Sequence, residues 1–545
     1  MKKIKKYIFI TNMDESIKII GQEGYFQKVL SFILISSSVL FAVIAAAYSY
    51  LTKIPNFECC EKYDNSSYFK CPYNNGEICS YSFSYNYRKD KKNSLHNWSY
   101  TFNLYCNKEY YNALIGSSYF LGSIIGSIIL TPLPDKFGRK NIYNINITIN
   151  CFVMFFILIC PTPSLLILLC FINGFISAIY GMFGVIISEY LSYTYRTYVM
   201  TLANAIYPFS GFILGFFFMT INNWKIFISF VSILHFITTY LCLKYFEESP
   251  RWLISKGRYD KCIEVLNKIS IINGTEKNWN EYFKNNKDKI FNLKNSINLS
   301  KKSFSMKKNI PSLFKIITFP SQRITILNLI ILWFGSSSCF YGILLTLNKM
   351  KGNFFSLSIL AFLGEMISEL ISGYLSNTYG RIFIMKYGGL IGTISFIFFE
   401  ILPNNLKPLL IFISMFGFAA TFNIIYIYTP EILPTSIRAT ICQFLFLISR
   451  TPPFIIPSLI HIIGNKIDGI FIFSGLMLSF SCFFLKETLN VGLIDEIQEL
   501  NSFEGNKGNN IDDSVSFSNE EFSIFSADNY NNMEISFDMS YSRLK

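Results

Sequence analysis

The chain has 545 residues, of which 51% are hydrophobic and only 15% are charged, and its mean hydropathy is +0.35. Soluble globular proteins are nearer one quarter charged, so this composition excludes an ordinary soluble domain and indicates a membrane protein. The formal net charge of +13 is compatible with a nucleic-acid partner, but the basic excess lies beside apolar segments. The sequence therefore predicts a lipid bilayer, and no nucleic acid, as the partner of the chain.

Twelve apolar segments follow one another along the chain, each near the ~20 residues that a helix needs to cross a bilayer. They lie near 29–51, 113–133, 141–160, 164–188, 199–219, 224–243, 324–347, 354–375, 382–402, 408–428, 439–461 and 468–485. Because they lack the strict alternation of barrel strands, they predict transmembrane helices. The predicted fold class is an all-α membrane protein.

Basic residues predict the orientation of these spans, because loops rich in Lys and Arg stay on the cytoplasmic side. Residues 244–322 contain 16 Lys and Arg against 7 Asp and Glu. We therefore predict that both termini are cytoplasmic. The predicted domains are a cytoplasmic N-terminus 1–28, an N-terminal six-helix bundle 29–243, a cytoplasmic central loop 244–323, a C-terminal six-helix bundle 324–485 and a largely disordered cytoplasmic tail 486–545.

Segment 52–112 must then face outward, and its cysteines predict disulfide bonds in an oxidising compartment. Five of the 13 cysteines lie there, namely Cys59, Cys60, Cys71, Cys79 and Cys106. Two Asn-x-Ser sequences, beginning at Asn65 and Asn97, are candidate glycosylation sites. The sequence thus predicts a glycosylated extracellular loop on a protein of the plasma membrane.

Two charged motifs recur with one offset of 242 residues, since 377 − 135 and 431 − 189 are equal. The residues of the two copies, all at predicted cytoplasmic helix ends, are Asp135, Gly138, Arg139, Glu189 and Arg196 in the first half and Asn377, Gly380, Arg381, Glu431 and Arg438 in the second. A shared offset predicts two pseudo-symmetric six-helix bundles.

Such duplicated halves rock about a site near the midplane in alternating access. Our hypothesis is that the charged motifs latch the cytoplasmic side while the outside is open. The alternative is that their bases only set the topology and their acids balance the charge.

Several stretches resemble one known family. The sequence PDKFGRK at 134–140 resembles the loop between helices two and three of the major facilitator superfamily, although Thr131 replaces its usual Gly. ESPRWLISKGR at 248–258 resembles its stretch after helix six. WFGSSSCFYG at 333–342 and PEILPTSIR at 430–438 are similar to its organic ion transporter branch. The resemblance covers roughly residues 25–500 and implies the major facilitator fold, alternating access and an organic ion as substrate.

Charged side chains within spans are costly and usually functional. Glu365 and Glu369 share one face of the eighth span because they are four residues apart, and Arg450 lies in the eleventh. In the family that the chain resembles, anion carriers have Arg and cation carriers an acid at the place of Arg450, which favours an organic anion. Anion carriers often have Lys at the place of Glu369, which argues for a cation. The alternative is an ion pair between Arg450 and Glu369 that leaves Glu365 to bind a cation or a proton.

Three aromatic residues of the seventh span, Trp333, Phe340 and Tyr341, are candidates for stacking on a flat substrate. The three His, at 96, 235 and 461, form no local metal set, and we find no phosphate-binding loop or hydrolase motif. We therefore predict no cofactor, no metal site and no enzymatic activity.

The preferred interpretation is a secondary active or facilitative carrier of small organic ions, with an anion favoured over a cation. A proton, sodium or an exchanged anion remains open as the coupling ion. One alternative is a carrier of sugars or other neutral solutes. Another is a ligand sensor that keeps the fold without transport, because Thr131 and Asn377 depart from the family pattern.

Overall fold

A computed structural model describes residues 16–21, 23–61, 69–70, 85–179, 183–191, 193–284, 320–350, 352–433, 438–463 and 468–489. Twelve helices in this part of the chain correspond one to one with the twelve predicted spans. They are α1 Tyr25–Leu51, α2 Tyr110–Leu130, α3 Arg139–Leu158, α4 Pro163–Ser177, α5 Tyr193–Thr220, α6 Trp224–Tyr245, α7 Pro320–Thr346, α8 Phe354–Tyr379, α9 Arg381–Ile401, α10 Lys407–Ile432, α11 Arg438–Ile463 and α12 Asp468–Ser481. Ten of these are long and apolar enough to cross a membrane, while α4 and α12 belong to shorter apolar helices.

The fourth predicted span is the one whose length differs most. It was expected over 164–188, but α4 ends at Ser177 and a separate short helix covers Phe183–Tyr190. Residues 180–182, between these two helices, lie outside the described part of the chain.

The helices form an N bundle, α1–α6, and a C bundle, α7–α12. Successive helices run in opposite directions, so their ends fall on two faces. We call the face that carries residues 52–61 and 85–109 the loop face. The face that carries Gly138 and Gly380, directly before α3 and α9, is the motif face.

Small residues allow the helices within each bundle to approach closely. A Cβ added to Gly122 of α2 would lie 2.1 Å from the carbonyl oxygen of Phe171 in α4, and one added to Gly364 of α8 would lie 2.5 Å from that of Phe412 in α10. Helix association in lipid depends on such packing because lipid tails supply no hydrophobic drive. Large apolar side chains such as Phe236 and Phe473 point outward instead, at 68% and 65% exposed, as a lipid-facing surface requires.

The two bundles touch mainly through α2 against α11 and α5 against α8, with a smaller contact between α1 and α7. Gly211 of α5 faces the ring of Phe362 in α8, where an added Cβ would come within 2.3 Å. Ser117 of α2 donates to the carbonyl oxygen of Phe454 in α11 at 2.8 Å. The interface between bundles is therefore formed by helices from both repeats.

Two smaller elements lie outside the bundles. Residues at the loop face form an antiparallel sheet in the order β2-β1-β3, with β1 Phe57–Glu61, β2 Phe69–Lys70 and β3 Tyr85–Lys89. After α6, the helix Tyr259–Ile272 packs on the N bundle through Asn273, whose Oδ1 accepts from the backbone N–H of Phe26 at 2.9 Å. The central segment is thus anchored to the start of α1.

Candidate functional site

Five ionisable side chains from both bundles are grouped around Tyr207 at the interface, and we call them the central cluster. They are Tyr119 and Tyr207 of the N bundle and Tyr341, Glu365 and Arg450 of the C bundle. Tyr207 is within electrostatic range of the other four. The cluster therefore joins α2 and α5 to α7, α8 and α11.

Arg450 is the cation of this cluster. Its Nη1 donates to the phenol oxygen of Tyr341 at 2.9 Å, and its guanidinium carbon lies 5.7 Å from the centroid of the same ring. None of the carboxylates in the described part of the chain forms an ion pair with it. A partly buried guanidinium that bonds to a phenol and to no described carboxylate favours an added anion.

Glu365 and Glu369 occupy one face of α8, as their spacing predicts. Glu365 is 2% exposed. Each of the two carries a buried oxygen, Oε2, that has no hydrogen-bond partner in the structure. The alternative ion pair between Arg450 and Glu369 is not formed, because the guanidinium bonds to Tyr341 instead.

Sequence reasoning missed the two tyrosines that the N bundle contributes. Tyr119 lies in α2 and its hydroxyl contacts the carbonyl oxygen of Phe41 at 3.3 Å. Tyr207 directly precedes Pro208 within α5. The only sequence signal was that proline, which marks a weakened point in the helix.

The aromatic candidates of α7 differ in their surroundings. Phe340 stacks on Phe422 of α10 with centroids 5.0 Å apart and meets Tyr341 edge-on at the same distance. Trp333 is 1% exposed and donates to Thr429 Oγ1 at 2.9 Å. The structure thus brings Phe340 and Tyr341 to the central cluster, whereas Trp333 packs inside the C bundle.

At the motif face of the N bundle, the predicted charged residues bond to one another. Arg139 reaches Glu189 through both Nε, at 3.3 Å, and Nη2, at 3.1 Å, and it also pairs with Asp135 at 2.6 Å. Gly138 has a φ of +107°, a backbone conformation that favours glycine. Glu248 fills the space beside it and accepts from the backbone N–H of Arg139 at 2.8 Å.

The C bundle repeats this arrangement. Arg381 pairs with Glu431 at 3.3 Å and donates to Asn377 Oδ1 at 2.6 Å, so Asn377 serves as the acceptor that Asp135 is in the N bundle. Gly380 has a φ of +103°, and Glu487 accepts from the backbone N–H of Arg381 at 2.8 Å. The capping roles of Glu248 and Glu487 were missed, although Glu248 begins a stretch that the resemblance had singled out.

Two members of the repeated motifs cannot be placed in this network. Arg196 lies in the first turn of α5 and Arg438 begins α11, and the side chains of both fall outside the described residues. Their pairing, and the role of all these motifs as a latch, remain predictions.

The cysteine-bearing loop is described in part. Cys59, in β1, and Cys106 each take part in a disulfide bond, and Cys60 is completely buried. Cys71 and Cys79 lie outside the described residues, as does Asn65. The connectivity of the five cysteines and the glycan on Asn65 therefore stay predictions.

The folded structure contradicts Asn97 as a glycosylation site. Asn97 is 0% exposed, and its Nδ2, the atom that a glycan would occupy, donates to the carbonyl oxygens of Tyr50 and Lys53 at 2.8 Å each. Its Oδ1 caps the helix Trp98–Thr101 by accepting from the backbone N–H of Tyr100 at 2.9 Å. Asn97 thus holds the end of α1, and no space remains for a sugar.

Side chains also join the two bundles directly at the loop face, and we call this set the loop-face seam. Glu109 of the N bundle pairs with Lys349 of the C bundle at 2.6 Å, and Thr52 accepts from Asn348 at 3.1 Å. Lys53 lies 4.1 Å from the ring centroid of Phe354, and burial lowers its pKa to about 8. The seam closes the loop-face end of the bundle interface.

A family model described as "Sugar (and other) transporter" matches residues 66–500. The chain belongs to this transporter family. It is therefore a multi-pass membrane protein of a carrier family and not an enzyme, as its sequence predicted.

Curated relatives of this transporter carry organic-ion names. The chain is 27% identical over 345 residues to human organic cation/carnitine transporter 2, covering 62% of this chain and 59% of that relative, so the match spans less than two thirds of it. It is 27% identical over 449 residues to human organic anion transporter 3, covering 78% and 77%. It is 23% identical over 468 residues to the organic cation transporter protein of Drosophila melanogaster, covering 78% and 82%.

Solved structures confirm the fold of this transporter. The xylose transporter XylE from E. coli, in an inward-open conformation, aligns with a TM-score of 0.60 at 13% identity, covering 88% of this chain and 99% of XylE. A partially occluded inward-open form of XylE aligns with a TM-score of 0.56 at 14% identity, covering 86% and 100%. The predicted major facilitator fold is therefore confirmed.

Proposed function

We propose that this transporter carries small organic anions across the plasma membrane by alternating access, with Arg450 as the counter-charge for the substrate. The observation that carries this proposal is the guanidinium of Arg450, which lies at the interface between bundles and has no carboxylate partner among the described residues. An anionic substrate supplies the missing charge. Its position between the repeats fits the midplane sites of secondary transporters.

Relatives named for organic anions and for organic cations both support an organic ion as the substrate. Tyr341, which is only partly buried, adds a flat aromatic surface next to Arg450, whereas the ring of Phe340 is buried and stacked on Phe422. Stacking on the ring of Tyr341 suits a planar aromatic acid. An aromatic carboxylate is thus the substrate class that we expect.

The proposed cycle places the motif face in the cytoplasm, as the basic residues of the sequence predict. The loop-face seam then lies on the outside and keeps the substrate site closed to it in the present conformation. Opening toward the outside requires the pairs of the seam, such as Glu109 with Lys349, to separate. The proposal leaves secondary active and facilitative transport open.

An organic cation is the second candidate, because Glu365 and Glu369 are unpaired carboxyl groups near the same interface. A sugar carrier is less well supported, since a neutral solute leaves all three charged groups uncompensated. A sensor without turnover would bind an organic ion but would not exchange it.

Uptake into cells that express the chain tests these choices. Labelled hippurate, an aromatic carboxylate, and labelled tetraethylammonium, a cation, are compared in wild type, Arg450→Ala and Tyr341→Phe. We expect wild-type cells to take up hippurate. Arg450→Ala should reduce this uptake at least about tenfold, because a charge-assisted contact is lost, and Tyr341→Phe should reduce it less.

Arg88→Ala is the matched control, because the Arg88 side chain is 58% exposed on β3 and should leave uptake unchanged. Tetraethylammonium uptake that is lost in Glu365→Gln, without hippurate uptake in wild type, would establish the cation carrier instead. Binding without exchange of either probe would support the sensor.

A further inference from the structure

The motif-face end of the C bundle carries a cation and four rings that neither the substrate site nor the seam uses, and we call them the lysine–aromatic surface. Its members are Tyr379 at the end of α8, Phe383, Lys386 and Tyr387 of α9, and Phe483 just after α12. The ring centroids of Tyr379 and Phe383 are 5.7 Å apart, and those of Phe383 and Tyr387 are 4.5 Å apart. Lys386 Nζ lies 3.8 Å from the ring centroid of Phe483 and 5.4 Å from that of Tyr387. Because α9 packs against α12, the five side chains form one continuous surface.

The four rings point away from the protein. Their exposed fractions range from 43% for Tyr387 to 64% for Tyr379. Tyrosine is enriched in membrane proteins at the level where the hydrocarbon meets the headgroups. Lys386 follows Arg381 by five residues, which is about 7.5 Å along the helix axis. Its amine therefore lies near the headgroups of the leaflet at the motif face.

Lys386 has no carboxylate partner in the part of the chain that the structure describes. The two glutamates of the C-bundle network have other partners. Glu487 accepts from the backbone N–H of Arg381, and Glu431 pairs with the side chains of Arg381 and Thr488. The face of an aromatic ring stabilises an ammonium group only in part. A lysine at the edge of the hydrocarbon without a counter-charge attracts an anion.

The N bundle lacks this combination at the equivalent place. The offset of 242 residues aligns Lys386 with Asn144 and Phe383 with Asn141. Asn144 Oδ1 accepts from Cys242 Sγ at 3.1 Å, so the equivalent position is neutral and has its partner inside the N bundle. Because both bundles have the same arrangement of helices here, the fold alone does not require a lysine or the rings beside it. The difference indicates a binding site that belongs to the C bundle.

An anionic phospholipid matches both parts of the surface. Its phosphate supplies the negative charge for Lys386, and its acyl chains cover the exposed rings. A zwitterionic phospholipid has no net charge and should bind less tightly. A soluble phosphate would meet the lysine but would leave the rings without a partner.

We propose that the lysine–aromatic surface binds one anionic phospholipid from the leaflet at the motif face, with the phosphate on Lys386 and the acyl chains along α9 and α12. In the orientation of the proposed cycle this is the cytoplasmic leaflet, where anionic lipids are concentrated. The site involves neither Arg450 nor the substrate, so it goes beyond the proposed function and can be tested without it.

Lipid binding to the full-length purified protein tests the proposal. The protein is delipidated in detergent and titrated with phosphatidylserine or phosphatidylcholine, and native mass spectrometry gives the dissociation constant of the first bound lipid. We expect wild type to bind phosphatidylserine at least about fivefold more tightly than phosphatidylcholine. Lys386→Gln should remove this preference, and Lys386→Arg should keep it because the charge remains. Lys136→Gln, which removes the same charge from an exposed position at the motif face, is the matched control and should behave like wild type.

Acetylation of wild-type protein in liposomes gives a second readout that does not depend on how the variants fold. The rate for Lys386 relative to Lys136 should fall at least about threefold when phosphatidylserine replaces phosphatidylcholine, because the surface potential acts on both lysines but the bound phosphate covers only one. Glycerophosphoserine, the same headgroup without acyl chains, should not protect Lys386. Equal protection by this soluble compound would identify a soluble phosphate as the ligand and overturn the lipid site. A lipid preference that persists in Lys386→Gln, or an unchanged ratio of acetylation rates, would also overturn it.

Discussion

The loop face and the motif face of this transporter are held together in different ways. At the loop face, side chains of one bundle bond to side chains of the other, as Glu109 does to Lys349. At the motif face, each arginine bonds within its own bundle, Arg139 to Glu189 and Arg381 to Glu431. None of the ion pairs among the described residues of the motif face crosses between bundles.

This difference separates two kinds of contact. Pairs within a bundle can persist while the bundles move, so they stabilise each bundle as a rigid body. Pairs across the seam must break whenever the loop face opens, so they set the balance between conformations. Substitutions at the motif face should therefore reduce stability, whereas substitutions at the seam should shift a population.

The largest effect is expected from Arg139→Ala. Its side chain is 10% exposed and that of Glu189 is 13% exposed, so removing the arginine leaves a nearly buried carboxylate without its partner. Such a loss costs about 3 kcal/mol of unfolding free energy. Thermal unfolding of the purified protein should show it as a lowered midpoint.

Arg381→Ala provides the comparison between bundles. Glu431 is 25% exposed and also accepts from Thr488 Oγ1 at 2.6 Å. Arg381→Ala should therefore lose only about half as much unfolding free energy as Arg139→Ala. Equal losses in the two variants would contradict the ranking by burial. A change in hippurate counterflow without loss of stability would point to the latch instead.

The next loss of stability is expected from Asn97, which lies at the loop face but bonds within the N bundle only among the described residues. Asn97→Asp removes both amide donors to Tyr50 and Lys53, and we expect a loss of about 2 kcal/mol of stability. The glycan pattern of the protein on a gel should not change. Asn65→Gln is the control for glycosylation, and a band shift on Asn97→Asp would contradict the burial of this side chain.

The spans and the repeat could be predicted because each depends on local sequence. The ninth span was predicted at 382–402 and α9 is Arg381–Ile401, since the length and hydropathy of the segment suffice. The offset of 242 residues likewise predicted a repeat, and in each half an arginine, Arg139 or Arg381, pairs with the glutamate 50 residues further on.

Contacts between helices could not be predicted in the same way. One tyrosine among 34 carries no signal of its own, so Tyr207 became recognisable only once α5 was packed against α8. The partner of Arg450 also depends on packing, because Tyr341 and Glu369 were equally available in the sequence. The prediction of a glycan on Asn97 was wrong for the same reason, since a three-residue glycosylation motif says nothing about burial.

A smaller effect is expected from the ion pair that crosses the seam. The side chains of Lys349 and Glu109 are 32% and 21% exposed, so Glu109→Gln should favour the open loop face by about 1 kcal/mol, roughly fivefold in population. Spin labels placed by non-cysteine chemistry on Lys92 and Asn404, both exposed at the loop face, report the separation of the bundles. The exchange of charges in Glu109→Lys with Lys349→Glu should restore the short distance, and failure to do so would argue against the pair.

The smallest expected effect comes from Lys53, which should make the equilibrium between the closed and the open loop face depend on pH. Burial lowers its pKa from 10.5 to about 8 in the closed seam, and an opened seam returns the amine to water. The closed form therefore binds fewer protons above about pH 8, and it gains stability as the pH rises from there toward 10.5. Contact with the Phe354 ring favours the charged amine and opposes this gain, so we expect only about a threefold shift between pH 7 and pH 9. Lys53→Met should abolish the shift in the distance between the labels on Lys92 and Asn404, and a dependence that persists in this variant would place the titrating group elsewhere.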